Sequence, residues 1–170
     1  MTRGVVVLLG PPGGGKTTVG TELGRLGFRW REWEIDILQR WGSRAEFVAN
    51  KATALPALQR DIRAWIESDG EPAAIESTGL SDGPFLDALA RDLPCFVVRF
   101  DVSEAEAERR LAQRARGRHL TDDLAGNRRV RREYETYVLP HRTVDLVIDS
   151  DHTTAATAAG QIAAAVRPRQ

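Results

Sequence analysis

The chain has 170 residues, of which 42% are hydrophobic and 28% charged; that is the size and composition of one globular domain with a substantial core, not of a disordered segment. Lys+Arg and Asp+Glu both number 24, so no overall field draws the chain to nucleic acid or an anionic membrane, and an anionic ligand must be held by a local cluster. Cys95 is the only cysteine, which excludes a disulfide framework and a thiolate metal cluster.

Residues 4–10 predict a buried strand, a short β-branched run ending in glycine. That run is too short for a signal core, no stretch reaches membrane-span length, and a cytoplasmic location is the expectation. Residues 17–26 follow as a helix, with Val19, Leu23 and Leu26 at helical spacing and Gly27 at its end. Residues 28–34 alternate as a second strand. Residues 35–41 and 44–49 are short helical pieces, and 56–66 is a longer helix starting at Pro56.

Residues 72–76 predict a third strand, 85–92 a helix and 95–101 a fourth strand. Ser103 caps the next helix, with Glu106 three residues on completing a capping box, and that helix runs to about Arg114. A polar segment over 115–127 precedes a charged helix over 128–138. Residues 144–149 form a fifth strand and the alanine-rich 155–166 a closing helix. Strands alternating with helices imply an α/β three-layer sandwich, a five-stranded parallel sheet covered on both faces. No repeat or linker divides 1–170, so a single domain is expected. In such sheets ligands sit beyond the carboxyl ends of the strands, where Gly10, Glu34, Gly79 and Asp101 converge.

Gly10, Gly15, Lys16 and Thr17 satisfy G-x-x-x-x-G-K-[ST], with an apolar strand before the pattern and a helix after it. Glycines let the backbone wrap closely and aim successive N–H groups at phosphate oxygens, and the helix N-terminus adds partial positive charge. Lys16 reaches β- and γ-phosphates in such a loop, and the Thr17 hydroxyl holds magnesium. The nucleotide set is therefore Pro12, Gly13, Gly14, Gly15, Lys16, Thr17 and Thr18, with ATP and Mg2+ as ligands. The alternative, a glycine-rich turn with an exposed lysine, explains neither the spacing nor the context.

On this loop and on features along nearly its whole length, the chain resembles the small P-loop kinases of the shikimate kinase, gluconate kinase and adenylate kinase type. The resemblance implies a P-loop NTPase fold with a short lid over about 115–127. Glu32-Trp33-Glu34 stands where shikimate kinases place Asp-x-Asp. It makes Glu34 the candidate catalytic acid or metal-water ligand and Glu32 an acceptor contact, with Asp36 as a rival one turn on. Trp30 and Trp33 flank that pair, with core packing or acceptor stacking as their alternatives. Glu76, at the end of the third strand, is the second candidate metal residue with Thr17. Gly79 would let an acceptor approach the backbone.

Arg114-Ala115-Arg116-Gly117-Arg118 resembles the R-x-x-G-R that opens an adenylate kinase lid. Arg118 is then the catalytic guanidinium closing over the transferring group, and Arg114 a nucleotide contact. Arg60 and Arg132, the latter in the basic run Arg128, Arg129, Arg131 and Arg132, are the candidate cations for the acceptor. His119, His141 and His152 have no metal or triad spacing and are expected to be ordinary surface or lid residues.

The shikimate-specific pattern is incomplete. Glu replaces Asp at both acidic positions, Gln59 occupies the expected arginine position, and Ser77-Thr78-Gly79 replaces a glycine triplet. The expectation is an ATP-dependent kinase for a small-molecule hydroxyl or phosphate. Two alternatives are a nucleotide-binding or ATPase module without an acceptor, and a polynucleotide 5′-end kinase, which zero net charge disfavours.

Overall fold

The computed structural model describes residues 4–68, 70–114, 119 and 122–166. At its centre lies β1 (Val5–Leu9), buried at every position. Val5 and Val7 enter one core and Val6 and Leu8 the other, as a strand covered on both faces requires. Its neighbours are β3 (Ala73–Ser77) and β4 (Cys95–Asp101). The short β2 (Arg29–Arg31) and β5 (Leu146–Asp149) complete a five-stranded, all-parallel sheet in the order β2-β3-β1-β4-β5.

One face carries α1 (Lys16–Arg25) and α8 (Ala155–Val166). Val19 and Leu23 of α1 pack with Ala158, Ala159 and Ile162 of α8 over Val6 and Leu8. Each fully buried aliphatic side chain there contributes about 1.5–3 kcal/mol. The small alanines let α8 lie close, and in α1 Gly20 does the same for the indole of Trp30.

The other face carries α2 (Trp33–Trp41), α3 (Arg44–Ala49), α4 (Lys51–Ser68) and α5 (Gly83–Asp92). Ile37, Phe47, Leu58, Ile62 and Leu89 are the centre of that core. The helices α6 (Glu104–Ala112) and α7 (Leu124–Tyr137) stand at the carboxyl end of the sheet, where Tyr134 and Val138 pack on Leu9.

Three boundaries differ from expectation by more than two residues. The second strand ends at Arg31, and Glu32 becomes the N-cap of α2. Trp33, Ile37 and Trp41 recur every four residues and pack into the core, so helical burial prevails over the strand-like alternation of 28–34. The acids Glu34 and Asp36 in the first turn suit the helix dipole. Next, α4 begins at Lys51, with Pro56 inside it. Burial of Ala54, Leu58, Ile62 and Ile66 carries the helix through the backbone hydrogen bond that proline forfeits. Arg29 donates to the carbonyls of Trp65 and Ile66 at its far end, where a cation is favourable. Finally, α7 begins at Leu124, four residues early, because the Asp123 carboxylate accepts from the Gly126 N–H at 2.6 Å. The polar segment over 115–127 thus ends in a helical turn.

Candidate active site

Between β1 and α1 the chain forms a tight loop over the carboxyl edge of the sheet. Gly13 and Gly15 have φ of 79° and 85°, which residues with a Cβ rarely adopt. At Gly13 space forbids a side chain as well, since a Cβ would stand 2.7 Å from the Ala107 carbonyl oxygen. The loop is therefore pressed against α6, with Gly15 as the N-cap of α1 and the residues of the first turn of α1 among those lining the cleft. No side chain caps them, so an anion can take that place.

Lys16 is 9% exposed. Its Nζ donates to the carbonyl oxygens of Gly10 at 2.8 Å and Pro11 at 2.9 Å. Burial lowers its pKa, while the charges of Glu76 and Glu34 act in the opposite direction. The Thr17 hydroxyl donates to Glu76 Oε2 at 2.9 Å. Glu76 is 8% exposed, and burial raises its pKa against the opposing pull of Lys16. An anionic carboxylate this dry needs more positive charge than one ammonium beyond hydrogen-bond reach provides.

That pair fits Mg2+, which dehydrates reluctantly and uses one hydroxyl or carboxylate together with waters and phosphate oxygens. Among the described residues there is no cluster of three or more His, Cys, Asp or Glu that could hold a metal ion.

The loop floors a cleft of about 630 Å³, within the range of small-molecule sites. Pro12 to Thr18 and Glu76 line one part of it, and Glu34 and Trp33 of α2 another. Glu34 Oε2 lies 3.0 Å from His119 Nδ1. Asp36 is held away from the cleft by Arg31 Nε at 2.6 Å, which separates the two rival acids. Trp33 meets Phe85 edge-on at 5.6 Å and also faces the cleft, whereas Trp30 belongs to the core.

No protein-family model and no curated protein matches the chain. Solved structures that resemble it include a sugar kinase from Janibacter, at TM-score 0.63 and 16% identity over 96% of this chain and 94% of that one. A shikimate kinase from Aquifex aeolicus follows at 0.61 and 17%, covering 95% of each chain. A gluconokinase from Sinorhizobium meliloti gives 0.61 and 18%, over 97% and 96%. The fold is that of the small P-loop kinases.

On this P-loop kinase fold, Arg114 lines the cleft beside the loop, and burial lowers its pKa. Arg118, with residues 115–117, lies outside the described residues. Glu32, half-buried at the start of α2, is not part of the cleft lining. Arg60 and Arg132 are exposed and also lie outside it, so the structure does not bring these two cations to the site. On α7, Arg129 lines the cleft with Val130 and Glu133. Gly79, at φ 75°, is backed by Val138 and Leu9 and shapes the turn after β3 from behind the cleft.

Four residues at the site were not among the candidate site residues. Arg110 reaches Ser150 Oγ at 2.9 Å and its carbonyl at 2.6 Å, and Ser150 Oγ donates to the Gly14 carbonyl at 2.8 Å. This brace ties α6 and the end of β5 to the glycine loop. Asp82, 6% exposed and with its pKa raised by burial, lines the cleft and accepts from Ser77 Oγ at 2.6 Å. His119 meets Glu34 across 85 residues of sequence, a separation that no local spacing can encode.

Proposed function

We propose that the chain is an ATP-dependent kinase that transfers the γ-phosphate to a hydroxyl or phosphate of a small molecule. The observation that carries this reading is the joining, in one cleft, of the Lys16–Thr17–Glu76 cluster with a carboxylate, Glu34, from a separate element. A nucleotide-binding module needs only the first part.

In this reading the backbone N–H groups of Gly13 to Thr18 cradle the phosphates, and Lys16 leaves the carbonyls of Gly10 and Pro11 for the β- and γ-phosphates. Thr17 and, through water, Glu76 would hold Mg2+, which supplies charge neutralisation of the phosphate oxygens when bound. Glu34 orients the acceptor hydroxyl and takes its proton as that oxygen attacks the γ-phosphorus and the bond to the β-phosphate oxygen breaks. Arg114 and, by resemblance, Arg118 lie over the transferring group and balance its equatorial oxygens. His119 holds the Glu34 carboxylate until an acceptor enters. Residues 1–170 act as one kinase domain with 115–127 as its lid, in the cytoplasm and on small molecules rather than on nucleic acid. Among the described residues no helix is long and apolar enough to cross a membrane.

The test is ADP release with Mg·ATP across sugar acids, nucleosides, nucleotides and amino alcohols, with Lys16→Ala as the blank. At least one acceptor should raise turnover well above the water reaction. If none does, the module reading replaces this one.

A further inference from the structure

The charge inventory of the cleft separates two of its cations from the rest. Lys16 is satisfied by loop carbonyls, Arg110 by Glu106 and Ser150, Arg129 faces Glu133 at 3.9 Å, and Arg114 feels the charges of Glu34, Asp122 and Glu76. Arginines away from the cleft are largely paired too, as in Arg40–Asp61, Arg63–Asp92, Arg128–Glu108 and Arg142–Asp87. Arg44 and Lys51 line the cleft yet have no carboxylate of the described residues within ion-pair distance. The Lys51 ammonium donates to Ser81 Oγ at 3.2 Å. Both stand at the beginnings of helices, Arg44 in α3 and Lys51 in α4, and both are exposed to solvent.

The surface between them is apolar. Phe47 and Val48 lie on the same helical wall, and Trp33 and Leu80 face the cleft from α2 and from the turn after β3. Val48 is 53% exposed. Two unpaired cations around an apolar surface are complementary to a flat or cyclic body that carries negative charge.

We infer that Arg44 and Lys51 select the acceptor: a small molecule with a ring and an anionic group, either carboxylate or phosphate, besides the group that is phosphorylated. The ring lies against Trp33, Phe47, Val48 and Leu80, and the anion takes the charges of Arg44 and Lys51. This rests on the kinase reading for the word acceptor, but the binding preference is measurable without turnover.

Binding is measured by calorimetry on the full chain saturated with Mg2+ and a non-hydrolysable ATP analogue. The probes are cytidine 5′-monophosphate, adenosine 5′-monophosphate and shikimate. Cytidine, adenosine and methyl shikimate serve as neutral counterparts, kanamycin as a cation, and a short 5′-hydroxyl oligothymidylate as a polymer. At least one anionic probe should bind tenfold or more tighter than its neutral partner. Arg44→Ala and Lys51→Ala should each reduce that preference by about tenfold, the scale of one charge-assisted contact, and shift the neutral partner less than about twofold. The double variant Arg44→Glu/Lys51→Glu should abolish it. A nucleotide or a shikimate preference identifies which anion the site takes.

Tighter binding of the neutral probes or kanamycin, oligothymidylate affinity that grows with length, a preference that survives in the variants, or no binding by any probe would overturn the inference. ADP release and product formation are followed in parallel. A charge-dependent preference without product would remove the kinase reading and leave the binding site. Turnover of a neutral acceptor unaffected by either substitution would do the reverse.

Discussion

Lys16, Glu76 and Glu34 lie close enough for each charge to influence the others, and their environments differ in ways that set separate expectations. Glu34→Gln removes a proton acceptor without touching the glycine loop. It should lower kcat roughly a hundredfold or more, with ATP affinity changed by less than about threefold; single-turnover kinetics and nucleotide titration separate the two. Equal losses in both would assign Glu34 a structural role. Glu76 has its pKa raised by burial, so protonation removes its charge at a higher pH than for an exposed glutamate. Mg2+-dependent nucleotide affinity should therefore decline as pH falls through that raised value, and Glu76→Gln should flatten the dependence. A titration of nucleotide affinity against pH in both proteins checks this.

Asp82 provides a stability counterpart. Its folded pKa is raised above the ordinary 3.8 by burial, so the folded state binds the proton more readily than the unfolded one. Its favourable contribution grows as pH falls from the folded value toward the unfolded one, and is lost as pH rises. The melting temperature of the wild type relative to Asp82→Asn should accordingly increase as pH falls through the raised carboxyl value toward the ordinary 3.8. A constant difference across that range would contradict the assignment.

At the level of elements, the contact of α1 with β2 depends on a missing side chain. A Cβ on Gly20 would stand 2.3–2.4 Å from the Trp30 indole, so the ring or the helix must move. Gly20→Ala should cost about 2 kcal/mol despite the better helix propensity of alanine, or roughly 4–8 °C in melting temperature. Adding Trp30→Leu should recover part of that loss, as coupled neighbours do.

Where the apolar pattern and the turn chemistry agreed, the elements were legible in sequence: β1 from five apolar residues ending in glycine, β4 over Cys95–Asp101, α3 over Arg44–Ala49 and α8 over Ala155–Val166. Alternation misled at Glu32–Glu34, because Trp33 faces α5 rather than a strand neighbour. Pro56 misled as a start signal, because buried residues on both sides of it continue the helix. The glycine loop with Lys16 and Thr17 follows from a local pattern, so it could be read directly. The rest of the cleft could not, since Arg44, Lys51, Asp82 and His119 reach it only through the packing of elements distant in sequence.

For the whole molecule, the sheet order explains why these fragments meet. With β1 between β3 and β4, the loop after β1, Glu76 near the end of β3 and the start of α6 after β4 occupy one edge, the crevice where open α/β sheets bind ligands. The helices α2–α4 add a second wall, and the Arg110–Ser150–Gly14 brace fixes the loop from the far side. The direct measurement of this arrangement is the fate of the γ-phosphate. With γ-labelled ATP, Mg2+ and the acceptor selected by ADP release, the label should appear on the small molecule, and the Lys16→Ala protein should transfer none. Label recovered only as inorganic phosphate, at a rate no acceptor changes, would contradict the account.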